Sequence, residues 1–191
     1  EDWSLSPNKN TNMVEILENW GVKFLPSFVA DISCARITMM SDDSQTKILN
    51  YPYWVNILPQ ENSKSGMTIF WPTELELSQN ATPFLVSSPS AQSIPLDSFQ
   101  ANPFIVQESD FSEYKRGTKI LCAKISGELN GLFTTNSTNN SNIIVIPDQY
   151  FVNSLMTGYI GGEYGDYRNF EFLTNCLLKL NNEEELSKLH D

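Results

Sequence analysis

At 191 residues, 40% hydrophobic and 12% aromatic, the chain can bury a full core and is far too apolar for a disordered segment. Its 23 acidic against 12 basic residues leave a formal charge of −11. That balance argues against a nucleic-acid partner, which needs a basic surface, and against an electrostatic grip on anionic lipid headgroups. No uncharged apolar run approaches the roughly 18 residues that would cross a bilayer.

Three scattered cysteines, Cys34, Cys122 and Cys176, form neither a zinc motif nor a dense disulfide framework. Each has apolar neighbours and reads as a small buried hydrophobe; one disulfide fits the count, but spacing does not assign it. The chain opens on Glu1 with neither a Met nor a signal-peptide pattern, so it reads as a segment of a longer protein.

Residues 1–12 are a polar lead-in, and 13–191 are expected to form one domain. Thr11 or Asn12 caps a predicted helix over Met13–Trp20, with Met13, Ile16, Leu17 and Trp20 on one stripe and Gly21 as its stop. Val22–Ile32 is extended, with Pro26 inside it and Asp31 at its end, and Ile37–Met40 makes a further strand. Asp42-Asp43 lacks the alternating acids, central Gly and closing Glu of a calcium loop and reads as a solvated turn. Asn50–Pro59 brackets aromatics with prolines, which predicts an extended, partly exposed segment rather than a central strand. Within it Tyr53 and Trp54 are candidates for a contact patch, or equally for a lid over a sheet edge.

Gln60–Gly66 is a loop and Met67–Pro72 a strand. Glu74-Leu75-Glu76-Leu77 alternates strictly, which turns both carboxylates to one face, as a solvated edge or, less simply, as an acid/base pair. Thr82–Ser90 is a strand ending in Ser87 and Ser88, which need a nearby base to act as nucleophiles. The single histidine, His190, lies in a polar tail, and no nucleophile elbow, P-loop or dinucleotide fingerprint occurs. Residues 88–117 are loop-rich with an acidic stretch from Glu108 to Glu113, and Thr118–Leu129 is a long strand. Residues 134–142 read as a polar loop with N-x-S/T matches at Asn136 and Asn139, alongside one at Asn80.

The β-branched run Ile143–Ile146 reads as a strand buried on both faces, as in parallel or mixed sheets covered by helices. Asp148, with Tyr150 beside it, then falls just past the carboxyl end of that strand, where α/β folds place ligand-facing groups. Capping of the next turn by the Asp side chain is the alternative. A Gly-rich loop with Gly161 and Gly162 follows, then a helix over Asn169–Leu180 that buries Phe170, Leu173, Leu177 and Leu180. Glu183–Glu185 open a last short helical turn. No metal site or cofactor motif is visible.

The order of these features resembles the extracytoplasmic domain of GldG-like auxiliary proteins of gliding-motility-type ABC transport systems. The resemblance is carried by Trp20-Gly21-Val22, Tyr51-Pro52-Tyr53-Trp54-Val55, Phe70-Trp71-Pro72-Thr73-Glu74-Leu75 and Thr82–Ser88. It continues through Gly131-Leu132-Phe133, Ile143–Phe151, Asn169-Phe170 with Phe172–Asn175, and Glu183–Leu186. Pro147 and Gln149 stand where the family's strand-end turn has Gly and Ser. The resemblance implies an α/β fold with a mixed, largely parallel sheet flanked by helices, like a class I glutamine-amidotransferase-like sandwich without the catalytic Cys–His pair. It leaves open whether this segment is the whole sandwich or its C-terminal part. It further implies a fragment of a membrane-anchored bacterial protein, periplasmic, non-catalytic and partnered with ABC permease and ATPase subunits. A carboxylate-dependent hydrolase or carbohydrate-active domain using Glu74 and Asp148 is the competing expectation.

Overall fold

A computed structural model describes residues 12–40, 45–57, 66–78, 80–134, 136–161 and 167–181. Helix α1 (Asn12–Asn19) stops where its sequence predicts. Gly21 takes φ 94°, a left-handed value that suits a residue without Cβ, and the Trp20 and Gly21 amides bond back to Ile16, Leu17 and Glu18 carbonyls. Leu17 and Trp20 pack on the core, whereas Met13 points to solvent.

Nine strands follow, with no α-helix among them in the described residues. They are β1 (Val22–Ala30), β2 (Cys34–Met40), β3 (Thr46–Ile57), β4 (Met67–Phe70), β5 (Thr73–Leu77), β6 (Ala81–Val86), β7 (Gln92–Pro95), β8 (Ile120–Asn130) and β9 (Ser137–Val145). Three sheets result, with strand orders β5-β1-β7, β2-β3-β4 and β6-β8-β9. Every pairing is antiparallel. Helices α2 (Ser154–Gly161) and α3 (Arg168–Leu180) come only after the last strand.

The expected helix-flanked, largely parallel α/β sandwich is therefore wrong: the protein is mostly β, built from small antiparallel sheets. A parallel pair needs a crossover of a dozen or more residues, usually a helix, and no α-helix separates these strands among the described residues. The Ile143–Ile146 run that suggested a doubly buried strand lies instead at the edge of its sheet. Ile143, Ile144 and Val145 pair with Ile125, Lys124 and Ala123, and of the run only Val145 is buried. Most of the stretch read as a polar loop is the outer half of β9, exposed and paired to β8. Gly127 (φ 106°) and Asn140 (φ 56°) absorb a register jump there, between the Gly127–Ser141 and Leu129–Thr138 pairs.

Pro52 misled in another way. It lies inside β3, the central strand of its sheet, because the β2 ladder jumps from Tyr51 to Val55 at that point. The bulge needs no amide from residue 52, and the free Pro52 carbonyl accepts the Asp31 amide at 3.0 Å. Trp71 and Pro72 carry the chain from one sheet to the next: the Trp71 amide extends the β3–β4 ladder by donating to Tyr53 O at 2.8 Å, and the Val29 amide extends the β1–β5 ladder by donating to Pro72 O at 2.7 Å.

The buried residues form three clusters, centred on Tyr51, Tyr53 and Trp54, on Val55, Ile69 and Leu121, and on Val22, Ala123 and Ile125. Helix α3 presents Asn169, Phe172, Leu173 and Cys176 to the protein, while Phe170 and Leu177 are substantially exposed. The inward face is thus rotated from the Phe170–Leu173–Leu177 stripe because Asn169, a polar residue, takes a core position.

Candidate functional site

The turn after β9 is built around Asp148. Its Oδ1 accepts the Tyr150 amide at 2.7 Å, closing an Asx turn, and its Oδ2 accepts the Phe70 amide at 2.7 Å. Next along the same strand, Asn169 Oδ1 accepts the Thr68 amide at 3.0 Å, and its Nδ2 donates to Thr68 O at 2.7 Å and Phe151 O at 2.6 Å. Two side chains thus occupy β4 amides at alternate positions, where a further strand would pair. Burial raises the Asp148 carboxyl to about 6, against the two amide bonds that favour its anion. Tyr150 is 36% exposed and its ring stands 5.6 Å from that of Trp71, a residue held at φ 47°.

Tyr53 and Trp54 lie beneath this turn, in the core. They are 1% and 5% exposed, inside an aromatic cluster with Tyr51, Phe70, Phe99 and Phe111, so they offer no surface to a partner. Burial pushes the Tyr51 phenol up to about 12; it donates to Ala101 O at 2.6 Å and accepts from Trp71 Nε1 at 3.0 Å. Gly161 is the last residue of α2, and Gly162 lies outside the described residues, as do Asp42, Asp43, Glu183–Glu185 and His190.

The remaining carboxylates and hydroxyls raised by sequence are each engaged. Glu74 is half-buried, bonded to Ser93 Oγ and 3.6 Å from Lys119 Nζ, while Glu76 is exposed beside Lys23. Ser87 Oγ accepts the Lys119 amide at 2.8 Å and donates to Ser88 O at 3.0 Å. All three cysteines are free thiols.

A second locality was not assembled by sequence reasoning. At the end of β1, Asp31 is only 2% exposed. Its Oδ1 accepts Ser88 Oγ at 2.7 Å and the Ser33 amide at 3.0 Å, and its Oδ2 accepts the Ser88 amide at 2.9 Å. None of the ion pairs among the described residues includes it. Asp31 lines an open cleft of about 190 Å³ together with Ile32, Cys34, Gln92, Val106, Glu108 and Phe111. Gln92 Nε2 holds the far wall by donating to the carbonyls of Phe111 and Tyr114. Glu108 opens a 3-10 turn (Glu108–Phe111) and meets Arg116 at 3.8 Å, both side chains more than half exposed. Burial, then the charge of Asp31 and more weakly that of Glu108, push the Cys34 thiol up to about 11, against a backbone hydrogen bond with Tyr51 and the charge of Arg36. Two signals were present in the sequence, the Asp at a strand end and the acidic stretch from Glu108. Their meeting depends on the fold.

Fold and cleft together define an antiparallel β-rich domain with a side-chain-sized acidic recess, the α-helices of the described residues flanking its strands in sequence. A family model described as "ABC-type uncharacterized transport system" matches residues 2–176, and the chain belongs to that family, the auxiliary components of ABC-type transport systems. No curated protein and no solved structure matches it.

Proposed function

We propose that this chain is a non-catalytic, protein-binding accessory domain of an ABC-type transport system, of the GldG-like kind. It would be carried by a membrane-anchored parent on the periplasmic face of a bacterial cytoplasmic membrane, where it contacts permease and ATPase-bearing assemblies. Membership of the auxiliary family supports the transport setting. The observation that carries the binding role is the cleft: at about 190 Å³ it is smaller than the roughly 300–1,000 Å³ of ordinary small-molecule sites and suits a single side chain.

The hydrolase reading needs two carboxyls facing each other about 5–10 Å apart across a cleft. Glu74 is bonded on β5 to Ser93 and Lys119, whereas Asp148 holds the β4 edge, and neither lines the recess. The deciding experiment is purification of the full-length protein from its native membrane with mass spectrometry of what accompanies it. Recovery of a permease and an ATPase is expected. Recovery of the protein alone, with esterase or glycosidase turnover abolished by Asp148→Asn or Glu74→Gln, would establish the enzyme instead.

A further inference from the structure

We infer that the cleft beside Asp31 accepts one Lys or Arg side chain from a partner polypeptide, whose cationic head supplies a counter-charge that no described residue gives Asp31. The inference rests on the protein-binding reading above and gives it a chemistry. A carboxylate withdrawn from water is costly unless it is hydrogen-bonded and paired, and Asp31 is bonded but has no cation among the described ion pairs. Three donors also leave a carboxylate with unused acceptor capacity. The lining contains Asp31 and Glu108 but no Lys or Arg.

The thiol of Cys34 lies in the same recess, where burial first and then the two carboxylates oppose its ionisation. A divalent metal is a poor fit, because no three His, Cys, Asp or Glu side chains stand together as a ligand group among the described residues. An ammonium or guanidinium on an aliphatic stem fits better. Its stem would run along Val106, Phe111 and Ala30, and its head would reach the carboxylates. Ile32 and Ile105, 51% and 55% exposed, offer apolar surface for the residues flanking that side chain. Glu108 is available to the incoming cation because its bond to Arg116 is long and solvent-exposed, the weakest kind of ion pair. The chain's charge of −11 would steer a basic segment towards it.

The test uses Cys34 as reporter, since Cys122 and Cys176 are 0% and 4% exposed, with Cys34→Ser as the blank. Cys34 is modified by a cationic and by an anionic methanethiosulfonate of similar size, alone and with the peptides acetyl-Gly-Arg-Gly-amide, acetyl-Gly-Lys-Gly-amide and acetyl-Gly-norleucine-Gly-amide. The cationic reagent is expected to react roughly five-fold faster or more, for two carboxylates at short range in partly screened solvent. Glu108→Gln, an exposed position whose change leaves the fold intact, should cut that preference about two-fold. The Arg and Lys peptides should protect Cys34, and the norleucine peptide should not. Equal rates with the two reagents, or equal protection by norleucine, would overturn the proposal. Protection by free arginine equal to that by the peptide would also overturn it, in favour of a small cationic ligand. Because the readout is local, it can fail while a permease still co-purifies, and the two results separate this inference from the transport-accessory reading.

Discussion

Asp148 was singled out for its place after an apolar strand, and its environment gives it a measurable signature whatever its biological role. The carboxyl titrates near 6 in the fold against 3.8 when free, so the native state holds the proton more tightly than the unfolded chain does. The sign follows: this group's contribution to stability is greatest below about pH 4 and is lost as the pH rises towards 6, by up to about 3 kcal/mol. Urea unfolding of Asp148→Asn against the parent across pH 4–6 should show that fall only in the parent. Parallel curves would mean that the carboxyl is not desolvated. Tyr53 and Trp54 show the opposite lesson at the same scale. Aromatic residues between prolines gave two readings, surface patch or packing, and only the pairing of β3 between β2 and β4 decides that they pack.

Among the elements, the first helix and its glycine stop were readable because their signals are local: a capping residue, a 3.6-residue stripe and a left-handed Gly21. Individual strands at Val22, Met67, Thr82 and Thr118 were readable for the same reason. Their arrangement does not follow from the family resemblance, which implied a parallel sandwich, nor from the run Ile143–Ile146, whose β-branched residues suit a central parallel strand and an antiparallel edge equally well. The better clue was the succession of strands without an intervening helix, which argues for antiparallel pairing. Helix α3 shows a limit of apolar periodicity, since its inward face is set by the amide of Asn169. At the β8–β9 hairpin, Gly127 sits at φ 106°, where a side chain is strained even though Asn80 leaves room for a Cβ. Gly127→Ala should therefore lower stability by about 1–3 kcal/mol in chemical denaturation. An unchanged midpoint would show that the bulge relaxes at no cost.

For the molecule as a whole, the candidate site was legible in pieces and not as a site. Asp31 and Glu108 are 77 positions apart in sequence, and β1 must pair with β7 and β3 must bulge at Pro52 before both can face one recess. The acidic balance, in contrast, was plain from composition and set the sign of the partner to look for. Long-range closure of the same kind joins α3 to the middle of the described chain. Asn169 makes three bonds, two to β4 and one to the turn after β9, so Asn169→Ala should strip α3 from β4 and cost about 2–4 kcal/mol. Hydrogen exchange at Thr68 would reveal it, and retained protection there would show that the helix is held by packing alone.

That latch has a consequence for the order in which the protein is made. The residue that closes the β4 edge lies 101 positions downstream of Thr68, and Asp148 lies 78 downstream of Phe70. At about 5–20 residues per second, a ribosome takes roughly 5–20 s to deliver Asn169 after Thr68. Through that interval the nascent chain carries an uncovered strand edge, and its best protection is the speed with which α3 arrives.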